Sequence, residues 1–282
     1  MNKHNELAAG ATQGIIRLAL EEDVGSGDIT AALVPKDARV EARVICRDEA
    51  IIAGVDWFSR TIHSVDPDII IEWTVKDGQK VAPDTELVRL KGNARAILTA
   101  ERTALNFLQT LSATATKVGR YVETIAGTGA IILDTRKTLP GLRSAQKYAV
   151  TCGGGQNHRH GLYDGILIKE NHIIAAGSIS AAVGNAKQQQ PNTKIEVEVE
   201  TLDELVETIN AGADIALLDN MDCATLSEAV ALNDGRIKLE ASGGITLSNV
   251  REIAETGVDY ISIGSLTKDI KAVDLSMRLE YR

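Results

Sequence analysis

Hydrophobic and polar positions change rhythm midway along this chain. In the first third they alternate in short steps: stretches 40–46, 50–54, 69–75 and 86–90 are rich in β-branched residues, with turn signals such as Asp77-Gly78 between them. This predicts a small, strand-rich domain. Stretch 75–92 has the look of a biotinyl or lipoyl carrier hammerhead, but no Lys stands at a hairpin tip in an attachment motif, so it reads as scaffold. Over 94–126 the period lengthens, and Ile97, Leu98, Ala104, Leu105, Leu108 and Leu111 recur at helical spacing, predicting one long helix with an apolar face. Arg102 stands about 40° round from Leu98 at about 100° per residue, so its guanidinium either emerges from a packed surface or is solvated.

After Gly129 the rhythm is strand, loop, helix, repeated. Apolar runs at 130–133, 165–168, 195–199, 215–218, 237–239 and 260–263 alternate with helical segments such as 202–211 and 248–255. Consecutive units of this kind predict right-handed βα crossovers and a parallel sheet. Six units fall two short of a closed eight-fold barrel, and no G-x-G-x-x-G turn follows the first run. The expected fold class is therefore α/β: an incomplete (β/α) barrel C-terminal domain at 113–282 behind a smaller α+β N-terminal sandwich domain at 1–112. A doubly wound sheet is the alternative.

The chain has 282 residues, 44% hydrophobic and 24% charged, enough apolar material for a substantial core in two domains. The first ten residues are polar, with no cationic stretch leading into an apolar one, and no uncharged run approaches the roughly 18 residues that span a bilayer. A cytoplasmic protein without a membrane partner is expected. Cys46, Cys152 and Cys223 are odd in number and lack C-x-x-C spacing, which favours reduced thiols over a disulfide framework or structural zinc. A net charge of -9 argues against nucleic acid, whose phosphates demand an extended basic face.

Against that acidic background, residues 134–172 gather Arg136, Lys137, Arg143, Lys147, Arg159 and Lys169 with Gly153-Gly154-Gly155 and Asn157-His158. Cations concentrated in an acidic protein suit carboxylate or phosphate. In α/β barrels chemistry collects at the carboxyl ends of strands. Here the residues past each run are chemically loaded: Asp134-Thr135-Arg136-Lys137, Lys169-Glu170-Asn171-His172, Glu198 and Glu200, Asp219-Asn220, Ser242-Gly243-Gly244, and Gly264-Ser265 after Ile263. Arginine forks pair with carboxylates, and lysines offer point charges. The two glycine turns suit a phosphate cradle, because glycine lets backbone N–H groups approach closely.

Glu196, Glu198 and Glu200 alternate with Ile195, Val197 and Val199, so the acids share one face of a strand. If that face is interior, cations or a metal must offset their repulsion; otherwise this is an edge strand with a solvated face. Glu198 with Asp219 can hold sugar hydroxyls or Mg²⁺. His158 and His172 belong to no nucleophilic triad, and with His160 they form no zinc pattern, so they read as positioning or anion-binding groups.

These motifs together resemble the quinolinate phosphoribosyltransferase family. The resemblance rests on Asp134-Thr135-Arg136-Lys137-Thr138, Cys152 to Gly155 with Asn157-His158-Arg159, Ile168 to His172, Glu196 to Glu200, Leu218-Asp219-Asn220 and Glu240 to Gly244. It extends to Glu21 to Thr30 and Glu101 to Asn106, spanning nearly the whole chain. It implies condensation of quinolinate with phosphoribosyl diphosphate to nicotinate mononucleotide, CO₂ and diphosphate, with Mg²⁺ as cofactor. It further implies that Arg136, His158, Arg159 and Lys169 take the quinolinate carboxylates, and that Arg102 reaches the same pocket from the partner subunit of a homodimer. Lys137, Glu198 and Asp219 would serve phosphoribosyl diphosphate and its metal, while Ser242, Gly243, Gly244, Ile263, Gly264 and Ser265 would hold the 5′-phosphate. Thr135 joins the substrate-binding set, and Lys137, Lys169, Glu198 and Asp219 the catalytic one. On the residues alone the rivals are a Schiff-base aldolase using Lys169, a related enzyme acting on another base, and a non-enzymatic phosphometabolite sensor.

Overall fold

The computed structural model describes residues 3–280. Met1, Asn2, Tyr281 and Arg282 lie outside the described residues, and with them part of the stretch read above as lacking a leader, and both outer limits of the expected domains. The chain forms two compact units: Met1–Lys117 with Leu139–Gly154 and Asp269–Arg282, and Val118–Thr138 with Gly155–Lys268. A single division at 112/113 was the expectation. Two later segments instead return to the first unit.

Unit 1 contains α1 (Lys3–Val24), β1 (Arg39–Cys46), β2 (Ala50–Ile51), α2 (Val55–Val65), β3 (Ile70–Trp73), β4 (Lys80–Val81), β5 (Thr85–Asn93) and most of α3 (Ala94–Thr124). Also in it are α4 (Arg143–Cys152) and β12 (Leu275–Glu280). Its main sheet is antiparallel in the order β12-β1-β5-β3. Along β1 alternate residues Val40, Ala42, Val44 and Cys46 are buried. They share a core with Phe58 and Ile62 of α2 and with Ile97, Ala104, Leu105 and Leu108 of α3, the helical period read from the sequence. The expected strand 50–54 stops at Ile51, because Gly54 opens α2 and its N–H donates to Asp77 Oδ1 at 2.9 Å.

Unit 2 contains β6 (Ile131–Leu133), β7 (Ile166–Ile168), α5 (Glu170–Ala176), α6 (Ile179–Gln189), β8 (Ile195–Val199), α7 (Leu202–Ala211), β9 (Ile215–Asp219), α8 (Cys223–Asn233), β10 (Lys238–Ser242), α9 (Val250–Glu255), β11 (Tyr260–Ser262) and α10 (Ser265–Lys268). All six expected strands form. Their order is β6-β11-β10-β9-β8-β7, with every pair parallel. Consecutive strands β7 to β11 are neighbours, which is barrel winding and excludes the doubly wound alternative. The barrel stays open between β6 and β7. On that side of β6, Gln156 bridges to Leu133, with its N–H on Ile132 O at 2.9 Å and its carbonyl accepting from Asp134 N–H at 3.2 Å. This short pairing brings Asn157 to Arg159 to the carboxyl end of the strands.

Candidate active site

The strand ends of unit 2 converge on a cavity of about 420 Å³. Thr135, Arg136 and Lys137 reach it after β6, Lys169 after β7, Glu198 and Asp219 from the last turns of β8 and β9, and Ser242 from β10. His158 and Arg159 line it from the segment beside β6. Nine of the residues named from sequence therefore share one cavity.

The glycine turns flank it. Gly264 packs so closely that a Cβ there would stand 2.8 Å from Lys137 Cδ, and Gly243 lies against Asn220. Of the residues expected to hold the 5′-phosphate only Ser242 lines the cavity; Gly243, Gly244, Ile263, Gly264 and Ser265 lie next to its lining residues but are not among them. Arg102 is exposed on α3 in unit 1 and is also not among them. The cation-rich stretch is thus divided. Arg143, Lys147, Gly153 and Gly154 belong to unit 1, where Lys147 is wholly buried on α4, a helix the sequence reading did not anticipate.

Charge in the cavity is balanced locally. Lys169 Nζ pairs with Glu198 Oε2, and the Lys169 backbone N–H donates to His172 Nδ1 at 3.0 Å, so His172 secures the start of α5. Burial, then the nearby charge of Glu198, raise the Asp219 carboxyl above its ordinary value, while Lys169, Lys137 and a 2.7 Å hydrogen bond from Asn220 pull it back. Burial and the charge of Arg136 lower Arg159 from its ordinary value, and Glu196 and Asp164 offset this. Arg159 Nη1 donates to Gly165 O at 3.2 Å. Lys137 is held through its backbone: its N–H donates to Thr135 Oγ1 at 3.0 Å and its carbonyl accepts from Thr267 Oγ1 at 2.8 Å.

The acidic alternation on β8 resolves into three environments. Glu196 is buried inside the barrel, Glu198 lines the cavity, and Glu200 lies exposed past the strand end, where its N–H donates to Glu204 of the α7 capping box. Glu196 meets Glu240 of β10, which the sequence reading quoted in a motif but assigned no role. The run 237–239 marked only the start of that strand. In the structure it continues to Ser242, which puts Glu240 on an inward position. Burial and the charge of Glu196 push the Glu240 carboxyl above the usual carboxylate range, against the pull of His158 and Ser262. Asp134, also fully buried, accepts the His158 N–H at 2.9 Å. A second cavity of about 410 Å³ opens toward the amino ends of the strands, past Ile166, Ile215 and Tyr260, and shares His158, Arg159 and Glu240 with the first.

An open parallel barrel that gathers cations and carboxylates from successive strand ends defines an α/β-barrel enzyme for anionic substrates. A family model described as quinolinate phosphoribosyl transferase, C-terminal domain, matches residues 114–278, and the N-terminal domain model of the same name matches 28–112. The chain belongs to the quinolinate phosphoribosyltransferase family. It is 40% identical over 289 residues to a tobacco (Nicotiana tabacum) quinolinate phosphoribosyltransferase [decarboxylating], covering 95% of this chain and 82% of that one. It is 42% identical over 257 residues to a probable nicotinate-nucleotide pyrophosphorylase [carboxylating] of Bacillus subtilis, covering 91% and 89%. Among solved structures, the nicotinate-nucleotide pyrophosphorylase of Francisella tularensis superposes with a TM-score of 0.95 at 48% identity, over 96% of each chain.

Proposed function

We propose that this chain transfers the phosphoribosyl group of phosphoribosyl diphosphate to the ring nitrogen of quinolinate, with loss of CO₂ and diphosphate, to give nicotinate mononucleotide in de novo NAD biosynthesis. The observation that carries the reading is the single cavity in which Arg136, Lys137, Arg159 and Lys169 face Glu198 and Asp219, in a chain of this family. Arg136, Arg159 and Lys169 take the two carboxylates and so aim the ring nitrogen at the anomeric carbon, while the His158 ring, bonded to Glu196 and to the Arg159 N–H, stands in the cavity wall beside them. Lys137 meets the diphosphate of the donor, and the turns at Ser242 to Gly244 and Ile263 to Ser265 hold its 5′-phosphate through backbone N–H groups. Ribosyl transfer passes through an oxocarbenium-like state, whose positive charge Glu198 and Asp219 stabilise. After transfer the ring nitrogen is cationic, and its charge stabilises the carbanion left on the adjacent ring carbon as CO₂ departs; a proton from solvent then takes the place of the carboxylate, so the step needs no acid–base triad.

Glu198 and Asp219 also fit Mg²⁺. Two neighbouring carboxylates, one raised partly by the charge of the other, are a donor set for a hard dication. Bound there, the ion supplies charge neutralisation for the leaving diphosphate. Arg102, exposed on α3, is read as completing the pocket of a second copy in a homodimer. No described helix is long and apolar enough to cross a membrane. A cytoplasmic location is proposed on the strength of three free cysteines; related plant enzymes carry chloroplastic or mitochondrial designations, so fractionation of the source cells tests it. The deciding assay follows nicotinate mononucleotide formation with quinolinate beside nicotinate. Product from quinolinate is expected, and turnover of nicotinate alone overturns the assignment.

A further inference from the structure

Two buried carboxylates inside the barrel of unit 2 have no part in the reaction as written. Glu196 and Glu240 are 5% and 1% exposed, and they meet at one ring. His158 Nε2 stands 2.8 Å from Glu196 Oε2 and 3.6 Å from Glu240 Oε2. The other ring nitrogen, Nδ1, accepts the Arg159 backbone N–H at 2.8 Å. An imidazole whose Nδ1 accepts a hydrogen bond carries a proton on Nε2, and here that N–H is directed at Glu196. Both nitrogens are turned toward protein. Neither is left for a substrate carboxylate, and the ring serves as an anchor.

What it anchors is the next residue. Arg159 lies in a stretch, Asn157 to Gly165, without helix or strand, and its guanidinium lines the cavity of the reaction. A long side chain on irregular backbone delivers a forked hydrogen bond only if that backbone is held. Here the hold is threefold: Asp134 takes the His158 N–H, the Arg159 N–H is tied to the His158 ring, and ring Nε2 is bonded to Glu196 of β8, with the Glu240 carboxylate of β10 packed 3.6 Å from the same nitrogen.

We propose that Glu196 and Glu240 are positioning residues for the dicarboxylate substrate: by fixing the His158 ring from inside the barrel they set where Arg159 meets it. The proposal rests on the chain being a quinolinate phosphoribosyltransferase. Its strand-borne acids act on the substrate through two intermediates, the imidazole and the Arg159 backbone.

The test is steady-state kinetics of Glu240→Gln and Glu196→Gln, both close in volume to the native residue. The quinolinate KM is expected to rise by between about ten- and a hundredfold, with the KM for phosphoribosyl diphosphate within about twofold of wild type. Equal rises in both KM values, or none, overturn the proposal. Wild-type protein that makes no nicotinate mononucleotide instead overturns the functional reading. In ¹⁵N-histidine-labelled protein, whose five histidines are few enough to assign with a His158→Asn control, His158 is expected to show protonated Nε2 and bare Nδ1. Glu196→Gln is expected to disturb that signature even if its fold is weakened. A His158 protonated at Nδ1 in the wild type, or one stoichiometric Zn²⁺ or Mn²⁺ ion that Glu240→Gln releases, refutes it.

Discussion

Two glycines at strand ends separate folding from function. Gly243 has φ of 96°, and a Cβ there would lie 2.1 Å from Asn220 Oδ1 and 3.0 Å from the Asn220 backbone nitrogen. Backbone cannot give way as a side chain can, so Gly243→Ala carries both left-handed strain and a clash, together costing about 1–3 kcal/mol. It is expected to lower the thermal midpoint and to displace Asn220, which hydrogen-bonds Asp219. At Gly264 the nearest atom is Lys137 Cδ, part of a flexible chain. Gly264→Ala is expected to leave the midpoint within about 2 °C while raising the KM for phosphoribosyl diphosphate, because Lys137 must swing aside. Thermal melts beside kinetics on the two variants check this, and a reversal of the two patterns would refute it.

At the scale of the element, β10 shows how one strand serves two roles. Leu239 and Ala241 bury aliphatic surface on one face, Glu240 points into the barrel, and Ser242 reaches the cavity. The raised Glu240 carboxyl makes a pH prediction. A carboxyl whose folded value lies above its unfolded value contributes stability that is complete below the usual carboxylate range and is lost as pH rises through the folded value. The wild-type thermal midpoint is therefore expected to fall more steeply than that of Glu240→Gln as pH rises from acid to alkaline. Parallel melting curves across the range would exclude a protonated Glu240. The same strand marks where pattern reading stopped short: the apolar run ends at Leu239, and an inward Glu and Ser look like a loop until neighbouring strands register against them.

For the whole molecule the test concerns Arg102. If each pocket is completed by the partner copy, Arg102→Ala and Lys169→Ala are both nearly inactive alone, yet mixed dimers contain one pocket with both residues intact. Unfolding and refolding an equimolar mixture is expected to restore roughly a quarter of wild-type activity, as random pairing in a two-fold dimer dictates. Failure to recover activity, with mixed dimers present by native mass spectrometry, would remove Arg102 from the pocket.

The sequence by itself determined the six parallel strands, the long helix after residue 94, and the ring of loaded strand ends, since each follows from local periodicity and from residues adjacent to an apolar run. Nine cavity residues were legible for the same reason. Only the tertiary structure decided that the 134–172 stretch serves two units, that β12 returns to pair with β1, and that Glu196, Glu240 and His158 meet inside the barrel. Those juxtapositions join residues 38 to more than 200 positions apart. They depend on strand order and register, which arise from packing between elements and leave no periodic trace along the chain.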